Sequence, residues 1–341
     1  MFLIKLFKLL FISLMLSGVA LGKVVTAKLG TVAPTGTPWA NTLEQIKKRV
    51  EAESKGDIKI NVSVGGELGG ELEIINEIRR GHIQGGGLTS VALTSVIPEM
   101  NVLELPFIFD SYEEADFVLD NYLLEPFKKL FSERGLVFVS WAENGWRNIG
   151  LKTKFVKTPR DLSGVRIRIQ DSQTHLDFWK KMNVIPVPIA MPEVLSALKN
   201  GVIEGFDNTA LLTLATDWYK GIKYYTVTQH IYQPAAIVYS KKFWDGLSET
   251  QRKMMMGEGN LLAPPSRQAV RTLDSELMDV FKTSGVEVYP LTTKERDEFK
   301  NSLRGLDLDI VKNLGGESSK IYNLLLDGKA AFKKAKAKKK N

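Results

Sequence analysis

The chain has 341 residues, with 46 basic and 39 acidic side chains, a formal charge of +7 and no cysteine, which excludes a disulfide framework, cysteine-ligated metal and a lipid-bearing cysteine. Nine lysines create the positive balance: Lys5 and Lys8 at the front, and Lys329, Lys333, Lys334, Lys336, Lys338, Lys339 and Lys340 in "KAAFKKAKAKKKN". Removing these nine from 46 leaves 37 basic against 39 acidic residues, so the body is about −2 and lacks the basic, aromatic-laced face that nucleic acid requires.

In chain order, "MFLIKLFKLLFISLMLSGVALGK" places Lys5 and Lys8 ahead of an apolar run from Leu9 to about Leu21, with Ala20 and Gly22 at a spacing accepted for cleavage. The run is shorter than the roughly 20 residues of a spanning helix, so residues 1–22 read as a cleaved secretory signal and the expected location is periplasmic. The alternative, a membrane anchor, would need a longer run. Without disulfides the mature chain must rely on its core, which roughly 320 residues in two domains are able to bury.

"VVTAKLGTV" reads as a strand and "ANTLEQIKKRVEAES" as a helix through Leu43, Ile46 and Val50. "DIKINVSV" alternates as a strand; "ELEIINEIRRG" is a helix closed by Gly81. "SYEEADFVLDNYLLEPFKKLFSERG" is helical, with Ser111 as N-cap and Glu113, Glu114 and Asp116 near the positive end of the dipole. "LVFVSWAE" and "GVRIRI" are strands, and "MPEVLSALKNG" is a helix with Pro192 in its first turn and Gly201 after its end. "AAIVYS" is a later strand, and beyond it the chain reads as helical to about residue 328. The Lys/Ala end, 329–341, reads as a solvated, frayed tail, with contact to an anionic membrane surface as the alternative. Strands alternating with helices give an α/β chain with helix-flanked sheets.

Several chemistries are excluded by spacing. "GGELGGE" and "GHIQGGGLTS" lack both the G-x-G-x-x-G order and a Walker Lys-Ser/Thr pair, and read as turns beside helices. The helix starting at Glu71 could nonetheless offer free backbone N–H groups to an anion. His82, His175 and His230 are the only histidines, too far apart for a zinc motif, and no Gly-x-Ser-x-Gly elbow occurs. Neither a metal, a cofactor nor a catalytic residue is expected. What remains are arginines. In "SGVRIRIQDSQ", Arg166 and Arg168 alternate with Val165, Ile167 and Ile169, and Arg168 ends its strand just before a polar turn. Strand ends of open α/β sheets form ligand crevices, and the arginine fork matches a carboxylate with two parallel hydrogen bonds. Arg147, between Trp146 and Asn148, ends another strand segment. A solvated or locally paired arginine is the alternative for each.

The stretch "TPRDLSGVRIRIQDSQTHLDFWKKMNVIPVPIAMPEVLSALKNGVIEGFDN", residues 158–208, resembles the signature region of the solute-binding subunits of tripartite ATP-independent periplasmic (TRAP) transporters, the DctP-like family. "GELGGELEIINEIRRGHI", "MNVLELPFIFDSYEEAD" and "KYYTVTQHIYQPAAIVYSKKFWDGLSETQ" extend the resemblance in colinear order over nearly the whole mature chain.

The resemblance implies a two-lobe periplasmic-binding-protein-like α/β fold with a ligand cleft between lobes joined by crossing strands and a long helix. Lobe I is expected over 23–147 plus about 235–265. Lobe II with the C-terminal helices is expected over 148–234 plus about 266–328. A small organic acid would pair with Arg168, assisted by Arg147; Asn208 matches the family's asparagine, Met191 the position of a packing aromatic, and Glu71 an acidic cleft position. Trp39 is placed in the first loop and reads equally as a cleft residue or as a Trp packed under a helix. The usual Asn-Pro is Asn208-Thr209 here, followed by apolar "ALLTL"; Trp39, Met191, Leu211 and Leu212 then point to a ligand with an apolar or aromatic part. Pro264 and Pro265 stand where the long helix would run on and predict a break, with Ser266 capping a new helix. The implied role is delivery of cargo to integral-membrane TRAP permease subunits without chemistry. The alternatives are a ligand-sensing subunit for a signalling receptor and a secreted hydrolase, and the latter lacks a nucleophile and base.

Overall fold

The computed structural model describes residues 24–338, and the signal segment expected over 1–22 lies outside them. No described helix is long and apolar enough to cross a membrane.

Nine strands form one continuous sheet: β1 (Val25–Gly30), β2 (Ile58–Ser63), β3 (Gly85–Thr89), β4 (Leu136–Leu151), β5 (Arg166–Ile169), β6 (Ile185–Pro188), β7 (Gly205–Asn208), β8 (Tyr224–Ser240) and β9 (Glu287–Pro290). Their order is β2-β1-β3-β8-β4-β7-β5-β6, with β9 beside β8. The parallel pairs β1 with β2 and β3, and β5 with β6 and β7, are connected through helices. The two longest strands hold the molecule together. β4 and β8 are antiparallel from Leu136 opposite Ser240 to Leu151 opposite Tyr224, with three register shifts between Phe138 and Ile149. β3 pairs with the far end of β8, whereas β7 joins the far end of β4 and β9 the start of β8. The two halves of the sheet therefore share β4 and β8, whose middles carry the register shifts.

Alternation accounts for the strands found in the sequence: Ala27 and Leu29 of β1 and Ile58 and Ile60 of β2 are buried against Leu43, Ile46 and Val50 of the helix Pro38–Glu53. Three expectations are corrected. The glycines of "GHIQGGGLTS" form β3 and not a turn: a Cβ on Gly86 would sit 2.2 Å from the Gly30 carbonyl oxygen, and one on Gly85 would sit 2.5 Å from that of Val238. Glycine permits this close approach of three backbones.

Pro264 and Pro265 do not break the long helix; they start it. The helix runs Ala263–Thr283, and because the first four N–H groups of a helix have no intrahelical partner, proline there removes no bond. The preceding helix Glu249–Met256 ends at Gly257, with φ of 53°. Ser266 lies inside the helix with a buried hydroxyl lacking a partner, so it caps nothing. Arg267 pairs with Asp120 at 2.7 and 3.1 Å, and Arg271 holds Asp116 at 2.7 Å and Glu143 of β4 at 2.5 Å. Further along, Leu277 and Phe281 pack with Tyr225 of β8. One helix thus braces both lobes.

Of the tail expected over 329–341, residues 329–338 are helical, and 339–341 lie outside the described residues. The helix Ser318–Lys338 continues through most of it, with Phe332 against Phe117 (ring centroids 5.6 Å apart) and Lys329 2.7 Å from the buried Glu114 carboxylate. Burial of Ile321, Tyr322 and Leu325 on one face anchors a helix that the local Lys/Ala composition does not reveal.

Candidate ligand-binding cleft

A cavity of about 290 Å³ opens between the two halves of the sheet, at the carboxyl ends of the parallel strands. β1 leads into Val32, β3 ends at Thr89, β5 leads into Gln170, β6 ends at Pro188, and β7 ends at Asn208; all five residues line it. This is where an α/β sheet leaves room, because strands diverge and helices turn away. The helix Glu71–Arg80 begins at the same wall, after Gly70, and is closed by left-handed Gly81.

Arg168 lies in the cavity wall with 5% of its surface exposed. Its Nε donates to the Ile189 carbonyl at 2.8 Å, and its guanidinium lies 5.0 Å from the Trp218 ring centroid. Neither terminal nitrogen has a hydrogen-bond partner among the described residues, and no carboxylate lies in salt-bridge range. Burial and the nearby Arg147 charge push its pKa down to about 9, against the pull of Asp207 and Glu71, so it stays cationic at neutral pH. Arg166, two residues earlier, is exposed and lies 3.6 Å from Glu204. One strand face thus gives two arginines opposite fates, set by distance from the strand end.

Arg147 takes a different place from the one expected of it. It is fully buried behind the cavity and does not line it. Nε donates to Asp207 at 2.6 Å, Nη1 to Gln170 at 2.6 Å and Gln233 at 2.8 Å, and Nη2 to the Asp207 carbonyl at 2.6 Å. All three nitrogens are occupied, because Arg147 points from β4 into the layer where β7 and β8 supply acceptors. The same layer holds His175, 2.8 Å from Glu104, and His230, 3.4 Å from Asp207. Burial alone would raise the Asp207 pKa, but Arg147, His230 and His175 together hold it well below the carboxylate range. Burial lowers that of His230 despite Asp207. The histidines thus lie in packing or, for His82, in an exposed contact with Glu77. Among the described residues no group of three His, Cys, Asp or Glu is arranged to hold a metal.

The remaining expected residues all line the cavity. Asn208 Oδ1 accepts from Thr209 N at 2.9 Å, leaving its amide nitrogen without a partner among the described residues. Met191 packs partly buried between two apolar clusters. Glu71 accepts from Thr89 N at 2.7 Å and Thr89 Oγ1 at 2.8 Å; burial raises its pKa, and those hydrogen bonds oppose the rise. Trp39 is buried, donates Nε1 to the Glu143 carbonyl at 2.7 Å, and presents ring surface to the cavity, so both readings of it hold. Gln170 and Trp218 were not found in the sequence. Gln170 carries a signal, since it continues the alternation of Arg166 and Arg168; Trp218 arrives from a distant turn and carries none.

The family model described as bacterial extracellular solute-binding protein, family 7 (DctP), matches residues 29–310. The chain belongs to this family. It is therefore a solute-binding protein and not an enzyme. Among similar proteins, the 2,3-diketo-L-gulonate-binding periplasmic protein YiaO of Escherichia coli K12 is 27% identical over 254 residues, covering 74% of this chain and 77% of that one. The sugar acid binding protein DctPAm of Advenella mimigardefordensis, solved with galactonate, superposes with a TM-score of 0.86 at 23% identity, covering 91% of this chain and 99% of that one. A TRAP periplasmic solute-binding protein of Chromohalobacter salexigens with bound D-glucuronate gives 0.83 at 24% identity, covering 89% and 99%. These similarities establish the two-lobe periplasmic-binding fold.

Proposed function

We propose that the family 7 protein is an exported, periplasmic receptor that captures a small organic carboxylate in the cleft through Arg168 and delivers it to an ion-gradient-driven TRAP permease. The observation that carries this reading is the state of Arg168: a buried cation whose two terminal nitrogens have no partner among the described residues, set in the wall of a cavity. Burying a charge unpaired costs several kcal/mol, and a carboxylate with its planar pair of oxygens removes the cost. Asn208, Met191, Glu71 and Trp39 are proposed as neighbouring contacts, and Arg147 as the residue that positions Gln170 and Asn208 from behind.

The lobes are proposed to meet at the bulged middle of β4 and β8, where the divisions expected near 147 and 234 fall inside continuous strands. Closure about that joint would exclude water and strengthen the ion pair as the effective dielectric falls. A differential affinity of a few kcal/mol suffices to move a mostly open population to mostly closed, the form a permease would recognise. The names of relatives that bind sugar acids support a carboxylate cargo.

The test is thermal-shift titration of the mature protein with a panel of organic acids, alongside Arg168→Ala. Ligand at about 100 times its Kd stabilises by about 2.7 kcal/mol, a readily measured shift. An Arg168→Ala protein responding like the parent overturns the assignment.

A further inference from the structure

Resting on the carboxylate-receptor reading, we propose that the cargo is a monocarboxylate with one acceptor-only head and an apolar body, in contrast to the galactonate and D-glucuronate of the two solved structures described above. The polarity of the cleft floor is fixed from below. Arg147 has only donors, so Gln170 must turn Oε1 toward it, at 2.6 Å, leaving Nε2 without a partner among the described residues. The Thr209 backbone N–H likewise claims Asn208 Oδ1 and leaves Nδ2 without a partner among the described residues. Together with the terminal nitrogens of Arg168, these amides give the interior three donor groups without a partner among the described residues. Most side-chain acceptors of the interior are already engaged: Asn144 Oδ1 by Thr209 Oγ1 at 3.4 Å, Thr89 Oγ1 by Ala92 N at 3.2 Å, and both Glu71 oxygens by Thr89; the exception is the buried Thr37 hydroxyl, which donates to the Pro34 carbonyl at 2.7 Å and keeps its acceptor side open.

Such a floor receives a carboxylate, and an oxo group beside it, but apart from Thr37 and the exposed carboxylates of Glu73 and Asp171 it holds no open side-chain acceptor for a row of hydroxyls. Sugar hydroxyls placed there would lose water without replacement. The rest of the surface reinforces this, since Trp39, Ile189, Met191, Leu211, Leu212 and Trp218 line it with hydrocarbon and ring. Charge excludes a second carboxylate. Arg168 is the only basic residue among those lining the cavity, whereas Glu71, Glu73 and Asp171 also line it, the last two exposed to solvent.

The experiment measures Kd by calorimetry for 4-methylpentanoate and 3-phenylpropanoate, each with and without a 2-oxo group, against D-glucuronate, D-galactonate and succinate. Expected is binding of the apolar monocarboxylates at least about 100-fold tighter than of the sugar acids or succinate, the discrimination that unpaired polar groups impose. Gln170→Glu, which keeps the acceptor for Arg147 but replaces the donor by carboxylate, is expected to weaken them about tenfold or more. Met191→Ala is expected to weaken the apolar acids while leaving the thermal unfolding cooperative. Sugar acids or succinate binding equally or tighter, with Arg168→Ala abolishing it, overturns this inference and leaves the carboxylate receptor standing; so does an unchanged affinity in Gln170→Glu. Binding insensitive to Arg168→Ala overturns the receptor reading itself, and the inference with it.

Discussion

Two buried arginines, Arg147 and Arg168, lie close enough for their charges to repel, yet one belongs to the joint beneath the cleft and the other to its wall. Beneath, Arg147 is packed among Asp207, Gln170 and Gln233, with Glu104, His175 and His230 in the same layer. In the wall, Arg168 keeps one bond to a backbone carbonyl and an aromatic face. The difference separates two uses of buried charge. Where strands of both halves meet, all three Arg147 nitrogens are paired; in the wall where a ligand is proposed to bind, the terminal nitrogens of Arg168 have no partner among the described residues. A site built this way sacrifices stability in the empty protein for affinity.

Asp207→Ala strikes the paired region and should have the largest effect. It leaves Arg147 buried without its carboxylate, and breaking such a pair typically costs about 3–5 kcal/mol, read as a lowered urea midpoint. An unchanged midpoint would erase the distinction between the two arginines. Arg168→Ala should show the inverse pattern: affinity for carboxylates falls by about 2–5 kcal/mol, while the ligand-free midpoint holds or rises because an uncompensated cation has gone.

A pH series sharpens the comparison further. His230 is held neutral in the folded state by a lowered pKa, so below the unfolded value of about 6.5 the unfolded chain binds a proton that the folded chain refuses. Stability should therefore fall on acidification from pH 7 toward 5.5, by up to about 1.4 kcal/mol per pH unit, and His230→Gln should flatten the slope. The pair of Asp207 adds nothing in this window: its folded pKa is depressed, so its contribution is complete above the unfolded value of about 3.9 and is lost only as pH falls toward the folded one. The smallest effect is expected outside both regions. Pro264→Ala, in the first turn of the bracing helix, should change stability by about 1 kcal/mol or less, measured by urea denaturation. A large loss or gain there would mean that the proline strains the helix it begins.

The sequence was most legible where one physical effect dominates. Alternation exposed β1, β2 and β5, and amphipathic spacing exposed the helices Pro38–Glu53 and Glu71–Arg80. The sequence was less legible at the middles of β4 and β8: "LVFVSWAE" and the segment ending at Arg147 read as separate strands and "VTQHIYQ" gave no element, whereas each lies within one long strand. These segments are buried, Val227 and Gln229 only partly, and carry polar groups of the buried network, so neither face shows a clear solvent pattern. β3 was hidden by its glycines, whose small size matters only against Gly30 and β8.

The sequence alone determined the α/β class, the family resemblance and the placing of Arg168 at the end of a strand, because these follow from periodicity and local motif. It also put Asn208, Met191, Glu71 and Trp39 on the list of residues that line one cavity. Only the tertiary structure decided that Arg147 lies behind that cavity, that Gln170 and Trp218 lie beside Arg168, and that Pro264 and Pro265 open a helix. The reason is that pairing depends on which acceptors the chain brings within about 3 Å, and these lie far along the chain from their donors: Asp207 is 60 residues and Gln233 86 residues from Arg147.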